Sequence, residues 1–189
     1  MSDSLAAKLA EVFGDRLKMV ATFGSASQTC AIVQSISVDD LDRCAAAFGT
    51  KAPAPLLMLT DELSRALDSF PLELNEILTT RRVIAGTDLL AALSVPAEDL
   101  RRACEVQARG HLVHLREGYI EAAGDHKAIL RLVTASVAPF RALVANVARL
   151  DGTSIDQLQR RLGLSTEDFP AALHSAERLV DYVDQWKRT

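Results

Sequence analysis

With 189 residues the chain is long enough to bury a sizeable core in one or two domains. Its 49% hydrophobic and 24% charged composition excludes a disordered or fibrous protein, and a net charge of −4 with a 5% aromatic share argues against a general nucleic-acid binder. No apolar run approaches the roughly 20 residues of a bilayer span, and Met1-Ser2-Asp3-Ser4-Leu5 does not read as a signal peptide.

The first predicted element is an amphipathic helix over residues 4–13, with Leu5, Leu9, Val12 and Phe13 on one face and Gly14 as its stop. Two strands follow, over 17–23 and 30–36, joined through Gly24-Ser25-Ala26-Ser27. Residues 39–48 read as a helix ending at Gly49, with Leu41, Cys44, Ala45 and Phe48 inward. Pro53-Ala54-Pro55 forces an extended entry into the short apolar strand 56–59. Thr60 is expected to cap a helix through Leu67, residues 72–78 and 82–85 to be strands, and Gly86-Thr87-Asp88 to open a short helix reaching Leu93. Ser94-Val95-Pro96 marks a boundary, giving an α/β domain over 1–95 and a helical domain over 96–189.

Beyond that boundary the periodicity becomes that of long helices. In 97–123 the stripe is Leu100, Cys104, Ala108, His111, Leu115 and Tyr119. In 126–150 it is Ile129, Val133, Val137, Phe140, Val144 and Val147, and Pro139 should kink that helix or leave a gap in its hydrogen bonding. Ser154-Ile155-Asp156-Gln157 is a capping box for a third helix ending near Gly163, and Phe169-Pro170 leads into a last one ending near Trp186. Four helices in succession predict an antiparallel bundle. The cysteines, Cys30, Cys44 and Cys104, are odd in number and widely spaced, which fits free buried thiols in a reducing cytoplasm rather than a zinc site.

The most informative chemistry lies where strand 17–23 ends. A buried strand running into a tight Gly-Ser turn often offers backbone N–H groups to a phosphate, so Gly24, Ser25 and Ser27 are the candidate phosphate-binding residues. Polyphosphate chemistry at such a turn calls for carboxylates that hold divalent metal. Between Asp15 and Asp39 there is no Asp or Glu, and the following strand is neutral.

The order strand, Gly-Ser turn, strand, helix, strand resembles the nucleotidyltransferase superfamily in its small bacterial form with a helical C-terminal half. Phe70-Pro71-Leu72-Glu73-Leu74-Asn75-Glu76-Ile77 with Arg82-Val83-Ile84-Ala85-Gly86-Thr87-Asp88-Leu89-Leu90 is similar to that form's third core strand and hairpin. Leu115-Arg116-Glu117-Gly118-Tyr119-Ile120-Glu121-Ala122-Ala123-Gly124-Asp125 is similar to its first long C-terminal helix. The resemblance implies an α+β protein, a mixed sheet with flanking helices followed by an antiparallel helical bundle. In active members an Asp-hydrophobic-Asp pair follows the turn and a third acid sits on a later strand. Gly24 and Ser25 match the turn and Glu73 matches the third acid, but the pair has no counterpart. The expectation is therefore a catalytically degenerate pseudoenzyme with no cofactor and no metal, a cytoplasmic binding or regulatory module. Its expected partners are a second copy of itself, a helical protein or a nucleotide, not nucleic acid or a membrane.

Two alternatives compete with that expectation. Asp40, Asp42 and Glu73 would serve an active metal-dependent nucleotidyltransferase if Asp40-Leu41-Asp42 ran as a strand, aiming two carboxylates to one side. A helix whose first turn collects aspartates explains the same residues without metal. On a strand Glu73 would face away from Glu76, which makes Glu73 the better site residue. Arg109 and His114 resemble the motif of HEPN helical ribonucleases, in which His acts near the scissile phosphate and Arg stabilises developing charge. On one helix, residues five apart diverge by about 140°, so a second subunit would have to complete such a site. His111 falls on the apolar stripe and reads as a core histidine, and the doublets Arg81-Arg82, Arg101-Arg102 and Arg160-Arg161 read as solvated ends.

Overall fold

A computed structural model describes residues 2–24, 27–49 and 53–186. The chain forms two compact units, Met1–Val95 and Pro96–Thr189. In the first, helix α1 (Ser2–Phe13) leads through a single 3-10 turn into strands β1 (Leu17–Phe23) and β2 (Gln28–Val33). Helix α2 (Val38–Phe48), strand β3 (Leu56–Leu59), helices α3 (Leu63–Ser69) and α4 (Pro71–Thr80) and strand β4 (Arg82–Gly86) follow. The sheet order is β3-β2-β1-β4, with β1 antiparallel to both neighbours and β2 parallel to β3.

Alternation along these strands divides the core between two faces. Met19, Ala21, Phe23, Cys30, Ile32 and Met58 point to one face, where Leu63 and Ala66 of α3, Leu74 and Ile77 of α4, and Leu90 cover them. Val20, Ala31 and Val33 point to the other, against Leu9, Val12 and Phe13 of α1 and Cys44 of α2. Burial on both faces is why β1 and β2 are apolar at consecutive positions rather than alternately.

The β3 edge is short and protected. Thr60 N–H bonds Val33 O, so Leu57 and Leu59 turn their backbone groups away from β2. Leu59 N–H donates to the Glu62 carboxylate at 3.0 Å, and Leu59 O accepts from Glu62 N–H at 3.2 Å. Pro55 has no N–H to offer. Among the described residues, Leu57 alone keeps both outward backbone groups on that strand for another strand.

Several expectations are corrected here. Residues 72–78 are not a strand but lie in α4, with Pro71 in its first turn and Pro71, Leu72, Leu74 and Ile77 buried. Proline is suited to the start of a helix, and Leu and Glu are good helix formers, which outweighs the partial alternation. Thr60 does not cap α3, which begins three residues later with no side-chain cap. No helix opens at Gly86-Thr87-Asp88: Asp88 receives Arg81 at 2.9 Å and the Leu90 N–H at 3.1 Å, which holds a turn instead. Strand β2 stops at Val33, because Ser37 already caps α2 by a capping box with Asp40.

The second unit holds α5 (Ala97–Glu121), α6 (His126–Leu150), α7 (Ile155–Leu162) and α8 (Phe169–Gln185). Helix α5 packs on α6 and α8, burying Leu100, Cys104, Ala108, Leu112 and Leu115. His111 stacks on Phe140 with ring centroids 5.1 Å apart, and half-exposed Tyr119 stacks on Phe169 at 4.2 Å. Helix α6 continues through Pro139 and buries Val133, Phe140, Val144 and Val147 of the expected stripe, while Val137 is 38% exposed. Contrary to the reading of its sequence, α6 is by length and composition apolar enough to cross a membrane. The capping box at Ser154 forms as expected, and Asp168 caps α8. All three cysteines are free and buried, and burial raises the Cys30 thiol to about 11 and the Cys104 thiol to about 12.

Candidate functional site

An open polar cavity of about 250 Å³ is lined by Thr22, Phe23, Gly24, Ser27, Thr80 and Arg82. Gly24 has φ +66° and Ser27 φ +50°, and Ser27 N–H bonds Gly24 O at 3.3 Å, closing a tight turn. Gly24 and Ser27 thus lie on the cavity, whereas Ser25 lies outside the described residues. Gly24 N–H is already occupied, donating to Thr80 Oγ1 at 2.9 Å, and Thr80 Oγ1 in turn donates to Glu76 O at 2.6 Å. The Ser27 hydroxyl and Arg82 also line this cavity; Arg82 pairs across the sheet with Thr22 and has no ion-pair partner among the described residues.

Sequence reasoning passed over Thr80, set Glu76 behind Glu73 and read Arg82 as a solvated end. A Cβ placed on Gly24 would stand 3.0 Å from Glu76 Oε1, so the carboxylate beside the turn is Glu76 and not Glu73. Reading 71–80 as a helix would have found it, since α4 delivers Glu76 and Thr80 to the turn one helical step apart. A carboxylate there repels an unneutralised phosphate. At 4 Å the cost is about 1 kcal/mol in water and about 4 kcal/mol near a protein surface.

The alternative triad does not assemble. Asp40 and Asp42 lie on α2, not on a strand, and Glu73 lies on α4. Among the described residues no group of three or more His, Cys, Asp or Glu side chains is placed to hold a metal. Asp40 is committed elsewhere: Arg16 donates to both of its oxygens at 2.7 Å, and Ser37 donates its N–H at 2.9 Å and its hydroxyl at 2.8 Å. The Arg16 hydrogen bonds, then the Ser37 N–H, hold the Asp40 carboxyl well below the usual range against the opposing effect of burial. A depressed folded-state pKa stabilises above the unfolded value of about 3.9 and is lost as the pH falls through the folded one. Asp40→Asn is accordingly expected to lower stability at pH 7 and to flatten its decline below about pH 4. Urea midpoints measured from pH 7 to pH 2 decide this, and an unchanged acid slope would place the acid sensitivity elsewhere.

The Arg109 and His114 pair is not brought together. Arg109 donates to Asp184 at 2.6 and 2.7 Å and lies 3.4 Å from Glu105, while exposed His114 sits 3.3 Å from Glu117. Arg109 thus ties α5 to α8, and the two side chains serve separate local pairs. His111 is the partly buried core histidine that the stripe implied, its pKa lowered by burial and then by His114.

No family model and no curated protein matches the sequence. Among solved structures the chain is similar to the spectinomycin adenyltransferase AAD(9) from Enterococcus faecialis, crystallised with ATP and spectinomycin. The two share 13% identity over 96% of this chain and 97% of that one, at a TM-score of 0.52. At that identity the likeness establishes the architecture: an α+β protein with a nucleotidyltransferase-like mixed sheet, flanking helices and a C-terminal helical region.

Proposed function

We propose that this chain is a catalytically degenerate nucleotidyltransferase-like protein, a cytoplasmic binding or regulatory module rather than a transferase. One observation carries the reading. The strand after the Gly24 turn, Gln28–Val33, bears no carboxylate, and the nearest acids in sequence beyond it stand on a helix where Asp40 is taken by Arg16 and Ser37. Without paired carboxylates a transferring phosphoryl group has no metal clamp to stabilise its developing charge.

The cavity at Gly24 and Ser27 is in this reading an anion-recognising remnant, with Arg82 supplying the charge. The exposed α5 residues Val106, Val113 and Ile120 recur every seven positions and give the helical unit a surface for a second copy or a helical partner.

Calorimetric titration of ATP with and without Mg²⁺ tests the proposal. Weak, magnesium-independent binding with a Kd of about 1 mM is expected, falling at least about fivefold in Arg82→Ala. Tight binding that requires magnesium, or transfer of AMP to any acceptor, would show a working transferase. Absence of any ATP binding would remove nucleotide from the partners and leave the protein surfaces.

A further inference from the structure

A second cavity, separate from the one at Gly24, opens between β3, α3 and α4. It measures about 440 Å³, within the range of small-molecule pockets, and its walls are mostly apolar: Leu56, Leu57, Met58, Ala66, Leu74 and Ile77. Of the polar groups that line it, Glu62 and Ser69 are hydrogen-bonded and Arg65 stands in a loose, exposed ion pair. Glu62 accepts the Leu59 N–H, the Ser69 hydroxyl donates to Arg65 O, and the Arg65 guanidinium lies 3.8 Å from Asp61. Glu73 has no hydrogen bond or ion pair among the described residues. Three residues before it, at the N-cap of α4, Phe70 also lines the cavity and is 62% exposed.

An apolar hollow with a free carboxylate and an open aromatic ring at its edge matches one ligand chemistry. The ring face and the carboxylate both attract a cation, and the walls accept a hydrocarbon body. We infer that this cavity binds a small ammonium ligand with an apolar body, its charge between Phe70 and Glu73 and its body against Met58, Leu74 and Ile77. A peptide strand added to β3 is a poorer occupant, because Pro55 and Glu62 leave it almost no backbone to pair with.

Met58 gives a direct readout, since it lines the cavity while Met19, in the same core, does not. The full chain carrying ¹³C-methyl methionine is titrated with 4-phenylbutylamine and, separately, with 4-phenylbutyrate, which share a body and differ in charge. The expected result is a saturable shift of the Met58 methyl with the amine, at least tenfold weaker with the carboxylate, and an unmoved Met19. Glu73→Gln, an exposed change that keeps the side chain's shape, should weaken the amine about fivefold or more and erase the preference. Phe70→Ala should weaken both. Equal affinity for the two probes, or no saturable Met58 shift, overturns the inference. So does a Met58 shift that depends on protein concentration alone with a dimer mass, which would give the cavity to a second copy of the chain.

Discussion

Gly86→Ala is expected to cost more than about 3 kcal/mol, a large share of the roughly 5–15 kcal/mol that holds a domain folded. Two penalties add. Gly86 has φ +79°, a region that costs an L-residue about 1–2 kcal/mol. A Cβ there would also stand 2.0 Å from Lys18 O and 2.8 Å from its carbonyl carbon, and both are backbone atoms. No rotamer change relieves that contact. Lys18 O also accepts the Thr87 N–H at 3.3 Å, and Gly86 pairs with Met19, so β1 and β4 would have to part at this end. Gly24→Ala supplies the contrast. Its φ of +66° is similarly strained, but its new Cβ would meet only the Glu76 carboxylate, a side chain that can swing away. It should lose about 1–2 kcal/mol. Urea unfolding followed by circular dichroism separates the two, and a Gly86→Ala loss below that of Gly24→Ala would refute the backbone-contact argument.

In the helical unit the largest single loss is expected from Phe140→Ala, roughly 3–5 kcal/mol. Phe140 is 3% exposed and forms one side of the stack with His111. The substitution has a second readout that mere destabilisation would not produce. Burial, with a smaller contribution from His114, holds the His111 pKa below its ordinary value. Opening the site to water should return it toward about 6.5. The sign follows from linkage: a histidine kept neutral in the fold protects stability above its unfolded pKa, and that stability is lost as the pH falls below about 6.5 toward the folded value. In Phe140→Ala this loss on acidification should shrink. An NMR titration of the His111 ring measures it directly, and an unchanged midpoint would mean that Phe140 does not shield the imidazole.

Strands β1 and β3 were legible in the sequence because each is a short apolar run with a physical stop: Gly24 after one, Pro55 before the other. Helix α6 was legible because Asp125 and Asp151 bracket a long stripe. The stretch 71–80 was not, since Leu72 and Leu74 fit a period of two while Leu74, Ile77 and Leu78 fit a helix. Which period wins depends on the sheet face that α4 covers, a tertiary fact. That one ambiguity misplaced the site acid, because coiling 71–80 brings Glu76 to Gly24 and sends Glu73 to a different cavity. Arg82 was hidden for another reason: it reaches Thr22 only through the pairing of strands distant in the chain, which no local pattern encodes.

The way β3 ends has a consequence for misassembly. An incoming chain seeking to extend the sheet would gain one rung at Leu57 and then meet an imide nitrogen at Pro55 and an amide already taken by Glu62. Four apolar residues in a row, Leu-Leu-Met-Leu, would otherwise be a natural seed for fibrils. Here growth stops after a single rung, which disfavours templating by this leucine-rich ribbon.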